Sequence, residues 1–165
     1  DHPVVQSLIP SIRRRTVTYG FNAQADVRGE NIRFDGINAH VDVRWRDNAM
    51  GSLHLNMPGR HNVSNALAAV AVGLELDIPF DRIQSALDGF TGVDRRFSIR
   101  AQVDTGGQKP ITIIDDYGHH PVEITAALKA GRMLCGNDKL LAVVQPHRYS
   151  RLAHLFTEFC SCFND

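Results

Sequence analysis

Apolar and polar positions alternate in short runs through the first third of the chain. Thr16–Tyr19, Asn31–Phe34, Ala39–Trp45 and Ser52–Leu55 read as half-buried strands, with Gly29, Asp35-Gly36 and Asp47-Asn48 between them predicting antiparallel hairpins. The period then changes. Val63, Leu67, Val70 and Leu74 recur at helical spacing among Ala66, Ala68, Ala69 and Ala71, which predicts a helix over roughly Asn62 to Leu76. A second helix is expected with Asp81 as N-cap, Ile83, Ala86 and Leu87 inward, and an end near Gly89.

Beyond Gly92 the pattern changes again. Phe97 to Val103 and Ile111 to Asp115 read as strands joined through Gly106-Gly107, and Pro121 opens a helix with Ile124, Leu128 and Leu134 inward. Leu140 to Val144 is a continuous apolar run expected to be a buried strand. A further helix then carries Leu152, Leu155, Phe156, Phe159 and Phe163. Strand, helix, strand, helix predicts a βαβ unit with a parallel sheet, so the fold class is α/β. The switch of pattern puts a domain boundary between residues 93 and 94. The chain opens mid-pattern on Asp1-His2-Pro3 and stops out of a helical stripe without a glycine stop signal, so it reads as a piece of something longer.

Eighteen basic residues balance eighteen acidic ones, leaving no overall field to draw nucleic acid or an acidic membrane; any anion site must be local. The three cysteines, Cys135, Cys160 and Cys162, lack zinc-ligand spacing, and nothing resembles a signal peptide, so a reducing cytoplasm is expected. No apolar run approaches the length that crosses a bilayer.

Chemistry concentrates where two polar stretches follow the two apolar strands of the expected βαβ unit: Asp115-Asp116-Tyr117-Gly118-His119-His120 and Gln145-Pro146-His147-Arg148-Tyr149-Ser150-Arg151. Ligands of open α/β sheets bind beyond the carboxyl ends of strands, so both stretches should face one crevice. Adjacent histidines diverge and no third ligand stands at useful spacing, which disfavours a metal. An acid at a strand end can accept hydrogen bonds from a ribose diol. It can equally begin a turn, with Gly118 supplying an unusual backbone angle and Pro121 starting the helix; the residues alone leave both readings open.

Arg148 and Arg151 are three apart and, if a helix begins there, share a face at its N-terminus, where they suit a carboxylate or phosphate. Their alternative is a solvated helix start. Asn62 and Asn65, in Gly59-Arg60-His61-Asn62-Val63-Ser64-Asn65, could cap a helix or pair with an adenine edge. Arg95-Arg96 could be a basic linker or reach a phosphate. No Gly-x-x-x-x-Gly-Lys-Ser/Thr loop occurs in the sequence, so the main cradle of any nucleoside triphosphate is expected outside it.

Three blocks, Gly59–Ala66, Asp115–Pro121 and Gln145–Arg151, taken in that order and spacing, resemble the Mur ligase family of bacterial cell-wall synthesis over essentially the whole chain. The second and third resemble its alanine-adding branch. The resemblance implies that residues 1–93 are the end of a central ATPase-type α/β domain with a small antiparallel β region. Residues 94–165 would be the first half of a Rossmann-like C-terminal domain. It implies a cytoplasmic ligase of peptidoglycan synthesis that uses ATP and magnesium to activate the carboxylate of UDP-N-acetylmuramate as an acyl phosphate, which L-alanine attacks.

By motif, Asn62 and Asn65 become adenine-side contacts, Arg96 a nucleotide-phosphate contact and Asp116 the ribose contact. His119 comes to the reacting centre, and Arg148 and Arg151 to the substrate carboxylate. No metal ligand is implied within the chain, and Asp94 stands where relatives commonly have glycine. The nearest alternatives are a ligase recycling a tripeptide onto the same acceptor and a non-catalytic nucleotide-binding module.

Overall fold

The computed structural model describes residues 3–107 and 109–164. They divide into two compact units, one ending at Phe90 and the next beginning at Thr91.

The first unit begins with an exposed helix, α1 (Pro3–Leu8), and a 3-10 turn. A four-stranded sheet follows in the order β1 (Tyr19–Gly20), β2 (Val27–Asp35), β3 (Asn38–Trp45), β4 (Asn48–Leu55). The β2–β3 and β3–β4 pairs are antiparallel, as the alternation predicts. Thr16–Thr18 does not extend β1, and β1 lies parallel to β2 rather than in a hairpin. The cause is local: the Asp26 carboxylate accepts both the backbone N–H and the hydroxyl of Thr18, at 2.9 and 2.8 Å. A side chain has taken the group that a ladder would use.

Ala39, Val41 and Val43 of β3 alternate inward and meet one face of α2 (Arg60–Glu75), where Val63, Ala66, Leu67, Val70 and Ala71 are buried. Gly29 lets the helix approach, since a Cβ there would stand 2.9 Å from Leu67 Cδ1. The next helix, α3 (Phe80–Asp88), adds Ile83 to the same core. Its N-cap is Pro79, not Asp81. Asp81 lies inside the first turn, where a carboxylate faces the positive helix end without capping it.

In the second unit β5 (Ser98–Val103) and β6 (Ile111–Asp115) form a two-stranded antiparallel ribbon, followed by α4 (Pro121–Cys135), α5 (Tyr149–His154) and α6 (Phe156–Ser161). Three expectations change here. Leu140–Val144 is not a strand, so the parallel βαβ pairing is not formed among the described residues. A continuous apolar strand needs cover on both faces, and Leu141 and Val143 are 77% and 92% exposed. The last helix is broken at Leu155 (φ −119°, ψ 30°), which lets Phe159 and Cys162 pack on Ile124 while Phe156 and Phe163 stay exposed. No helix of the described residues is long and apolar enough to cross a membrane.

Leu67 is completely buried between helix and sheet. Leu67→Ala is therefore expected to cost about 2–5 kcal/mol. Urea unfolding followed by the fluorescence of Trp45, which packs against this core, should show an earlier midpoint; an unchanged midpoint contradicts this account of the core.

Candidate functional site

The site in the second unit is built on the turn between β6 and α4. Asp116 leaves the strand with its carboxylate shared: Oδ2 accepts the Phe97 N–H at 2.9 Å and Oδ1 the Gly118 N–H at 2.6 Å. Each oxygen keeps lone-pair capacity for a further donor such as a ribose hydroxyl. Gly118 does not supply a left-handed angle. It is needed for close approach, because a Cβ there would stand 2.7 Å from Asp116 Oδ1 and 3.2 Å from Glu123 Cβ.

His119 and His120 have different tasks. His120 is the N-cap of α4, its ring accepting from the Val122 N–H at 3.4 Å. The His119 ring meets Tyr117 edge-on at 5.0 Å, and its Nδ1 lies 3.0 Å from the Tyr117 carbonyl oxygen. A carbonyl only accepts, so Nδ1 carries the proton there and the neutral ring keeps its lone pair on Nε2. That lone pair is what a proton acceptor at a reacting centre requires.

Glu123, at the third position of the helix, closes a capping box. Its Oε2 accepts the backbone N–H groups of His119 and His120, both at 3.1 Å, and its Oε1 lies 3.3 Å from Arg96 Nη1. Burial pushes its pKa up, but the two backbone N–H groups together with the Arg96 guanidinium outweigh this, holding the carboxyl below its ordinary value. Neither Glu123 nor the cap was singled out in the sequence. The available signal was an acid three residues after the cap, disguised by histidine in the cap position where serine, threonine or an acid is usual.

The segment before β5 is pinned to this turn. Arg95 accepts the Tyr117 N–H on its carbonyl at 2.7 Å, stacks its guanidinium 4.9 Å over the Tyr117 ring and pairs with Asp115 at 3.4 Å. Arg95 and Phe97 both sit in the left-handed region, at φ 59° and 52°, a conformation that costs roughly 1–3 kcal/mol each and persists only under such restraint. A register shift between Ile99 and Ala101 frees Arg100 to pair with Asp115 at 2.9 Å and Asp94 at 2.7 Å. Asp115, with no assigned role from sequence, is thus an ion-pair partner of two arginines.

A cavity of about 450 Å³ opens beside the turn, bordered by Arg95, Asp116, His119 and His147 at its polar parts and by Ile124 and Leu128 among its apolar ones. His147 also borders an adjoining cavity of about 390 Å³ with Arg148 and Tyr149. Arg148 is the N-cap of α5 and sits at φ 69°; Arg151 lies within the helix and donates from Nη1 to the His147 carbonyl at 3.1 Å.

Asp116, His119 and Arg148 therefore border adjoining cavities, while Arg96 stands behind the turn on Glu123. Asn62 and Asn65 belong to the first unit. Asn62 lies in the first turn of α2 and donates to the Pro58 carbonyl at 2.8 Å rather than capping, the cap being Gly59 at φ 92°; Asn65 is exposed. Among the described residues no three His, Cys, Asp or Glu side chains come together to hold a metal ion.

Two family models match the chain: the Mur ligase middle domain over residues 1–73 and the Mur ligase glutamate ligase domain over residues 95–165. The chain belongs to the Mur ligase family. Among the relatives of this Mur ligase chain, a UDP-N-acetylmuramate--L-alanine ligase of Paramagnetospirillum magneticum is 53% identical over 100% of this chain and 35% of its own length. One of Bradyrhizobium diazoefficiens is 54% identical over 100% of this chain and 36% of its own. A solved structure of UDP-N-acetylmuramate-alanine ligase from Thermotoga maritima aligns at a TM-score of 0.70 with 33% identity, covering 84% of this chain and 31% of that one. A murein peptide ligase from Psychrobacter arcticus aligns at 0.51 with 29% identity, covering 80% and 26%. The chain spans about a third of the length of the two ligases from Paramagnetospirillum and Bradyrhizobium.

A carboxyl whose folded pKa is lowered contributes stability above its unfolded value and loses it as pH falls through the folded one. Wild type is accordingly expected to be more stable than Glu123→Gln at neutral pH, with the gap starting to close near the ordinary glutamate value of 4.5 and vanishing below it. Urea unfolding across that pH range checks this; a gap that does not change with pH contradicts it.

Proposed function

We propose that the chain is part of an ATP-dependent ligase that adds L-alanine to UDP-N-acetylmuramate through an acyl phosphate, in peptidoglycan synthesis. Residues 1–93 would be the end of its central ATP-binding domain and residues 94–165 the start of its C-terminal domain. The choice of reaction is supported by the relatives that are more than half identical. The observation that carries the site is the turn on which Asp116 and His119 border one cavity while Arg148 borders the next, with His147 common to both.

On this reading Asp116 accepts the ribose hydroxyls on the lone pairs its two backbone donors leave. Asn62 and Asn65 read the adenine, and Arg96 meets a phosphate. His119 presents Nε2 at the reacting centre and removes the proton that the incoming amine must lose as the amide forms. Arg148 and Arg151 hold the carboxylate of L-alanine, which orients its amine for attack. ATP, when bound, would supply the phosphoryl group that converts the muramoyl carboxylate into an acyl phosphate, whose C–O bond breaks to release phosphate as the amine forms the amide. Magnesium is implied by the family, and among the described residues no three His, Cys, Asp or Glu side chains gather to hold it.

Arg148→Ala in the full-length parent is expected to raise the KM for L-alanine by at least about tenfold, the loss of one charge-assisted hydrogen bond, with a smaller change in the KM for ATP. Equal effects on both would count against the carboxylate role. Competition between L-alanine and a tripeptide in the same assay separates the proposed activity from tripeptide recycling: the tripeptide should not compete. The 165-residue chain by itself, which contains no phosphate-loop lysine motif, is expected to release no ADP in the presence of both substrates; substrate-dependent release would overturn this.

A further inference from the structure

Three successive residues, Arg95, Arg96 and Phe97, are each held by a different acid of the turn and helix that follow β6. Asp115 takes the Arg95 guanidinium, Glu123 takes that of Arg96, and Asp116 takes the Phe97 N–H. Glu123 differs from the other two in that its carboxylate takes both a guanidinium and backbone N–H groups of the turn. Oε1 faces Arg96, and Oε2 takes the backbone of both His119 and His120. The turn lies directly on it, since Gly118 leaves no room for a Cβ beside the Glu123 Cβ. One carboxylate on a regular helix therefore sets both where Arg96 points and where the backbone of His119 sits.

Resting on the function proposed above, we propose that Glu123 is a positioning residue that ties Arg96 and the His119 turn into one unit, so the group for the nucleotide phosphate and the group for the reacting centre are presented in a fixed relation. A cap serving helix stability alone would need Oε2 and its two N–H donors; nothing in that role calls for Arg96 on the other oxygen. Replacement by glutamine separates the two roles. The amide oxygen can keep the position of Oε2 and accept both N–H groups, which turns the amide NH2 towards the guanidinium, donor against donor.

The test is a double-mutant cycle in the full-length parent, reading ADP affinity by calorimetry. Glu123→Gln is expected to weaken ADP about fivefold, the scale of a partly exposed ion pair. Arg96→Ala weakens it as well, and the double variant binds no worse than Arg96→Ala alone, because the effect of Glu123 passes through Arg96. The KM of Glu123→Gln for L-alanine stays at the wild-type value. Wild-type ADP affinity in Glu123→Gln, or losses that simply add in the double variant, would overturn the proposal. Affinity is read without turnover, so an acceptor other than L-alanine would overturn the proposed activity while leaving the Glu123 result readable.

Discussion

The Asp116 carboxylate accepts one backbone N–H from each side of itself in sequence, Phe97 far upstream and Gly118 two residues on. The rest of the candidate site depends on that sharing. It joins the segment before β5 to the turn after β6, and so decides where Arg95 and Arg96 lie relative to His119. Charge-assisted hydrogen bonds of this kind are short and strong for their number. The bond to the Phe97 N–H, together with the Tyr117 N–H on the Arg95 carbonyl, holds Arg95 and Phe97 at left-handed angles that neither side chain favours. The same carboxylate keeps acceptor capacity for a ligand, so one residue serves as fastener and candidate contact.

Around that fastener the acids carry separate loads. Asp115 balances Arg95 and Arg100, and Glu123 caps α4 while facing Arg96. The Asp115-Asp116-Tyr117-Gly118-His119-His120-Pro121 run therefore holds both fastening and candidate chemistry. His120 and Gly118 shape the turn, and His119 borders the cavity. These are the charges a balanced sequence would hide, since every arginine of the cluster is answered by a nearby acid.

What could be read from sequence was what neighbours along the chain determine. The alternation of Ala39, Val41 and Val43 and the spacing of Val63, Leu67 and Val70 mark faces that bury against each other, and β3 and α2 follow from them. Leu140–Val144 carries an equally strong apolar signal, but a strand is made by its neighbours, and the described residues provide none. The break at Leu155 escaped a periodic reading because the apolar stripe continues through it. At the site, the acids, histidines and arginines were visible as types. Their division of labour was not: whether Asp115 pairs and Asp116 bridges depends on contacts with residues 94–100, about twenty positions away, and the His120 cap is a local exchange with Val122 and Glu123.

The central claim is that the β6–α4 turn and the segment around Arg148 face two parts of one reaction, nucleotide and amino acid. A structure of the full-length parent with a non-hydrolysable ATP analogue and L-alanine bound tests it most directly. The account predicts the ribose hydroxyls on the Asp116 carboxylate, with its bonds to Phe97 and Gly118 intact, and the L-alanine carboxylate between Arg148 and Arg151. A ribose held elsewhere, or an alanine carboxylate touching neither arginine, would contradict it.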